Sequence, residues 1–182
     1  MPRIEVKSIP AGNYAYFYNA IDYVARTDKS GCQCIGATNL FLVDKRKELE
    51  SSIEAQVTEV REYFKQGNRR LGIRFVINFS DTELKYLNER MVLEIGYHVA
   101  MTEFAGCMTY FAVHDHTDLL HLDMLIFPVD IRTGKMYGCN IAGWSAIEAR
   151  LIEYLKNYMP VDAVGGFQTA FTKNKPTYGY RR

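Results

Sequence analysis

Two apolar runs separated by a very short connection constrain this chain more than any other feature. "CMTYFAVHDH" and "LHLDMLIFPVD" are both β-like in composition, and they lie almost end to end. Strands so close in sequence pair as an antiparallel hairpin, because a parallel pair needs a crossover of a dozen or more residues. If Asp118 and Leu119 form a two-residue hairpin loop, Thr117 pairs with Leu120. His116 then faces His121, and His114 faces Asp123. Side chains alternate faces with period two, so these four share one face of the hairpin. Leu120, Leu122, Met124 and Ile126 occupy the other face and suit a core. The chain has four histidines, and three of them fall within positions 114 to 123. Imidazoles converging with a carboxylate suit a divalent transition metal or a mixed Mg/Mn site. The fourth, His98, lies near the apolar stripe of a helix and reads as structural.

The rest of the chain supplies more strands and helices. "IEVKSI" and "LGIRFVINFS" read as strands. Ala20, Ile21, Val24 and Ala25 mark a short tyrosine-rich helix. Leu49, Ile53, Val57, Val60 and Phe64 recur at helical spacing, with Gly67 placed as a C-cap. Ser80 and Glu83 form a capping box for a helix that runs to about Phe104, with Leu84, Leu87, Met91 and Ile95 as its buried stripe. Ser145 and Glu148 form a second capping box. "RTGK" is a turn. The expected architecture is one α+β domain over residues 1–182, an antiparallel sheet with helices packed on it. Its C-terminal end is a basic, aromatic tail at about 172–182.

With 182 residues and 48% apolar content, the chain can bury a substantial core. Its formal net charge of +1 gives no bulk attraction to nucleic acid, so a nucleic-acid partner would have to be met by local patches. No apolar run approaches a membrane span, and "MPRIEVKSIP" lacks the pattern of a secretory signal. A cytoplasmic location follows as the expectation. The cysteines Cys32, Cys34, Cys107 and Cys139 are then expected to be reduced.

The stretch "VHDHTDLLHLDMLIFPVDIRTGKMYG" resembles the relaxase/mobilisation nuclease family of HUH-type enzymes. Its members carry a pattern like H-x-D-x-D-x-x-H-x-H, then apolar residues, an Asn-Pro-Val-Asp type turn and T-G-K. The preceding strand–helix–strand is similar to the family's. "NAIDYVARTDKSG" resembles its N-terminal tyrosine segment. The resemblance covers roughly residues 15 to 140. It implies a five-stranded antiparallel sheet with metal ligands on adjacent central strands. It also implies bacterial plasmid or integrative-element DNA as substrate, nicked at a transfer origin. Tyr23 is implied as the nucleophile, with Tyr14, Tyr16 and Tyr18 close by in sequence.

His114 and His121 match two of the family's three metal-binding histidines. The third falls at Asp123, the aspartate after the first falls at His116, and the following asparagine falls at Phe127. The implied ligand set is His114, His121 and Asp123, with His116 as a fourth ligand or a partner of one. An oxygen donor in that set favours Mn²⁺ or Mg²⁺ over zinc. Arg26 and Lys29 follow the tyrosine and could contact phosphate, as could Arg69 and Arg70. Lys173, Lys175, Tyr178 and Arg181 in the tail could grip single-stranded DNA, cations on phosphates and rings on bases. Accessory mobilisation proteins and a coupling protein are the further partners that the family implies.

Three rival readings remain at this stage. The exchanged His and Asp also suit a relaxase-like DNA-binding module that does not nick. Rolling-circle replication initiators carry their tyrosine on a helix after the histidine motif, where Tyr154 and Tyr158 flank Lys156. An unrelated metal hydrolase would use the metal without Tyr23.

Overall fold

The computed structural model describes residues 3–25, 34–43, 46–115, 120–138, 140–160 and 163. Among these residues five strands and four α-helices follow in order: β1 (Arg3–Ile9), α1 (Tyr14–Val24), β2 (Ile35–Thr38), α2 (Arg46–Tyr63), β3 (Gly72–Asn78), α3 (Glu89–Glu103), β4 (Met108–His114), β5 (His121–Phe127) and α4 (Ile141–Leu155). The strands form one antiparallel sheet in the order β1-β3-β5-β4-β2. The expected fold class is therefore the observed one. β4 and β5 lie at the centre, and every residue of both is buried. That explains why they read as nearly continuous apolar runs.

Helices cover both faces of the sheet. On the front, α1 contributes Phe17, Ala20, Ile21 and Val24, and α2 contributes Leu49, Ile53 and Val57. They pack on Met108, Tyr110, Ala112, Leu125 and Phe127. On the back, Val92, Ile95, Val99 and Ala100 of α3 join Trp144, Ile147, Leu151 and Leu155 of α4. Leu120, Leu122, Met124 and Ile126 face this back layer, as their alternation requires.

The sequence-based expectation missed several local features. β2 was not anticipated: it is a four-residue edge strand, "IGAT", without alternation. The helix expected from Ser80 to Phe104 is broken. Glu83 does cap back onto the Ser80 backbone N–H at 2.7 Å, but it opens one 3-10 turn, Glu83–Lys85. α3 then restarts at its own cap, where the Asn88 side chain accepts from Met91 N–H at 3.0 Å. α4 likewise begins one turn before Ser145, because Asn140 accepts from Gly143 N–H at 2.9 Å.

The C-terminus of α2 also differs from expectation. Lys65, not Gly67, takes the left-handed conformation, with φ 56°. Gln66 N–H bonds the Arg61 carbonyl at 2.7 Å and Lys65 N–H bonds the Glu62 carbonyl at 3.0 Å, a Schellman pattern. A lysine there pays the Cβ penalty that glycine avoids. Lys65→Gly is expected to raise the unfolding free energy by roughly 0.5–1 kcal/mol in urea denaturation. No gain would mean that the lysine stem recovers that energy by packing.

Candidate active site

The front face of the sheet carries the histidines. The hairpin register differs by two residues from the expected one: His114 lies opposite His121, and Ala112 lies opposite Asp123. Pairing follows the two apolar runs, with Met108 opposite Phe127 at the far end, rather than a minimal loop. A shift of two preserves face parity. His114, His121 and Asp123 therefore still share the front face, as expected. The imidazoles of His114 and His121 stand with ring centroids 5.2 Å apart. Both are buried, and Asp123 is 0% exposed. Asn78 of β3 lies opposite His121 and continues this row across a third strand.

α1 brings a tyrosine to the row. The Tyr23 ring lies 5.4 Å from that of His114, though 91 positions separate them in the sequence. Helical spacing explains the approach. Phe17, Ala20, Ile21 and Val24 form the buried stripe, and Tyr23 sits at its edge, half-buried. The other tyrosines of α1 have different neighbours. Tyr18 donates to Glu54, and that bond, followed by burial, pushes its pKa up to about 12. Tyr14 packs against Phe17 and Tyr18.

A residue that the sequence did not single out completes the cluster. Arg74 of β3 grips Asp123 with a guanidinium fork: Nε donates to both carboxylate oxygens at 3.0 Å, and Nη2 donates to Oδ2. The same guanidinium lies over the Tyr23 ring, 4.6 Å from its centroid. Burial alone would lower the Arg74 pKa, but Asp123, aided by Tyr16, raises it above the ordinary arginine value. A signal was present in the sequence: a lone charge at an inward-facing position of the apolar strand "LGIRFVINF".

Two imidazoles bound to one ion at about 2.1 Å place their ring centroids about 5 Å apart. His114 and His121 fit that arrangement. Asp123, expected as the third ligand, gives both oxygens to Arg74. No group of three His, Cys, Asp or Glu side chains suited to holding a metal forms among the described residues. His116, Arg26, Lys29, Lys173, Lys175, Tyr178 and Arg181 lie outside the described residues.

The helix proposed for a rolling-circle tyrosine faces the other way. Tyr154 of α4 and Tyr158 just beyond its end pack with the back layer, and their hydroxyls bond each other at 2.9 Å. Burial, then the Tyr154 bond, pushes Tyr158 up to about 12. His98 stacks flat on Tyr154, with ring centroids 3.4 Å apart, in keeping with a packing role.

No family model matches the sequence. No curated protein matches it either. Solved structures do match. A chain from work on the molecular basis of vancomycin resistance transfer in Staphylococcus aureus aligns with a TM-score of 0.58 at 13% identity, over 92% of this chain and 95% of that one. The MobM relaxase domain (MOBV) bound to 26-nucleotide pMV158 oriT DNA gives 0.55 at 15% identity, over 86% of each chain. A Mn-bound crystal structure of that domain with 22-nucleotide oriT DNA, at pH 5.5, gives 0.56 at 14% identity, over 86% of this chain and 85% of that one. The chain thus shares its fold with relaxase domains.

Proposed function

We propose that this chain is a relaxase, a strand-specific DNA-nicking transesterase of conjugative mobilisation, with Tyr23 as its nucleophile. One observation carries the reading: the Tyr23 ring packs against His114, which itself faces His121 across the central hairpin. The Mn-bound, oriT-bound state of the MobM domain supports it through the shared fold.

In the proposed reaction the Tyr23 hydroxyl oxygen bonds to the scissile phosphorus. The bond from phosphorus to the 3′ oxygen breaks. The phenol proton passes to water, and the departing 3′ oxygen takes up a proton. The products are a 5′-phosphotyrosyl linkage and a free 3′-hydroxyl. One phosphodiester is exchanged for another, so the reverse attack can reseal the strand. A phenol with a pKa of about 10 is a weak nucleophile near neutrality and needs an electrophile activated beside it. His114 and His121 would hold a divalent ion, Mn²⁺ or Mg²⁺, which when bound offsets charge developing on the phosphate oxygens.

The test is to incubate the full chain with Mn²⁺ and a pool of random-sequence single-stranded oligonucleotides. Denaturing gels and mass spectrometry then detect covalent adducts. An adduct on the peptide containing Tyr23 is expected. Strand binding without any adduct would leave a DNA-binding module in place of an enzyme. In parallel, His121→Ala should weaken Mn²⁺ binding by at least about tenfold in calorimetry. Unchanged affinity would remove His121 from the ligand set.

A further inference from the structure

We propose that Asp123 serves this site through Arg74 and not as a metal ligand: the Asp123–Arg74 pair is a positioning device that holds the Tyr23 ring against His114. The inference rests on the relaxase reading for its catalytic meaning. Its geometry stands independently.

Two contacts build the device. Asp123 is fully buried, and Arg74 approaches it through a fork that engages both oxygens. A fork of this kind fixes the plane of the guanidinium, because two parallel bonds leave it little rotational freedom. The same guanidinium then lies on the face of the Tyr23 ring at 4.6 Å, within the range where a cation is attracted to an aromatic face. Arg74 thus joins a central strand to the helix that carries the proposed nucleophile. Val76 on β3, directly opposite Asp123, is too short and apolar to share the task. A lysine at position 74 would also fall short, since a point charge supplies neither the fork nor the planar contact.

The chemistry of Asp123 agrees with this assignment. An ion recruiting this carboxylate would have to share it with a cation already placed on both oxygens. Asp123 stands where a histidine stands in the family pattern, and an imidazole could not accept a guanidinium fork. The exchange of His for Asp at this position is therefore matched by the arginine on the neighbouring strand.

The experiment compares Asp123→Asn, Arg74→Gln and the double variant in the full chain, with 3-fluorotyrosine placed at position 23. The double variant buries no unpaired charge, and it keeps the test readable where a single variant fails to fold. Three quantities are measured: Mn²⁺ affinity by calorimetry, the ¹⁹F signal of residue 23, and the rate of adduct formation on the oligonucleotide pool. Every variant is expected to keep Mn²⁺ affinity within about threefold of wild type, all are expected to shift the ¹⁹F signal alike, and the double variant should be no slower than the slower single, as for residues acting as one unit. A loss of Mn²⁺ affinity of tenfold or more in Asp123→Asn, with Arg74→Gln unaffected, would make Asp123 a ligand and overturn the proposal. So would a ¹⁹F signal unmoved in all three. If the wild type forms no adduct, the nicking reading fails while the ¹⁹F comparison still decides the positioning role.

Discussion

Tyr23→Phe will abolish the covalent DNA adduct and leave single-strand affinity close to that of the wild type. The substitution removes one oxygen and keeps the ring. Contacts with His114 at 5.4 Å and beneath Arg74 at 4.6 Å depend on the ring, so the helix and its packing stay in place. The bond to phosphorus depends on the hydroxyl. Two other tyrosines are poor substitutes. Tyr18 is tied to Glu54 and pushed up to about 12, and Tyr158 lies behind the sheet. Adduct formation is read on denaturing gels and affinity by fluorescence anisotropy with the same oligonucleotides. An undiminished adduct in Tyr23→Phe would move the nucleophile to another residue.

The largest stability effect is expected at Phe111. Its ring is fully buried in the back layer and meets Tyr97 edge to face, with centroids 5.0 Å apart. Two glycines make room for it. A Cβ at Gly36 of β2 would lie 2.3 Å from the ring, and one at Gly96 of α3 would lie 2.9 Å from it. Phe111→Ala therefore empties a space walled by backbone on two sides. Those walls have no side chains that could rotate inward, so the cavity cannot easily collapse. The expected loss is about 3–5 kcal/mol of unfolding free energy, measured by urea denaturation. A loss below about 1.5 kcal/mol would mean that the strand and helix close over the gap.

Much of this fold was legible because its two central strands are long apolar runs that lie almost end to end in the sequence. The hairpin face was read correctly from parity even though the register was off by two, since only an odd slip turns a strand over. Tyr23 and the histidine motif were legible as separate motifs, and the resemblance put them in one site. What escaped was information carried between distant segments. β2 is defined by its pairing with β4, and "IGAT" alone has too few residues to show a period. The helix read from Ser80 was split by a second cap at Asn88, whose Asn signal is weaker than a complete capping box. Arg74 was passed over because its partner lies 49 positions away, on a strand that becomes its neighbour only in the folded sheet.

The strand order decides where along the sheet Tyr23 comes to rest. β1 and β2 close opposite edges of the sheet, yet alternating antiparallel neighbours make them run in the same direction, as β5 does. The chain leaving β1 must travel back along the sheet before β2 can begin, and α1 makes that return journey. It sets out with Phe17 against Phe127, where β5 ends, and arrives with Tyr23 against His114, beside the start of β5. The six residues from Phe17 to Tyr23 cover about 9 Å of helix. The helix therefore works as a ruler whose zero is its capped end at Asn13. Each residue inserted ahead of Tyr23 would swing the phenol about 100° around the axis. An insertion ahead of Tyr23 is therefore expected to move the phenol away from His114 even with every other side chain of α1 unchanged.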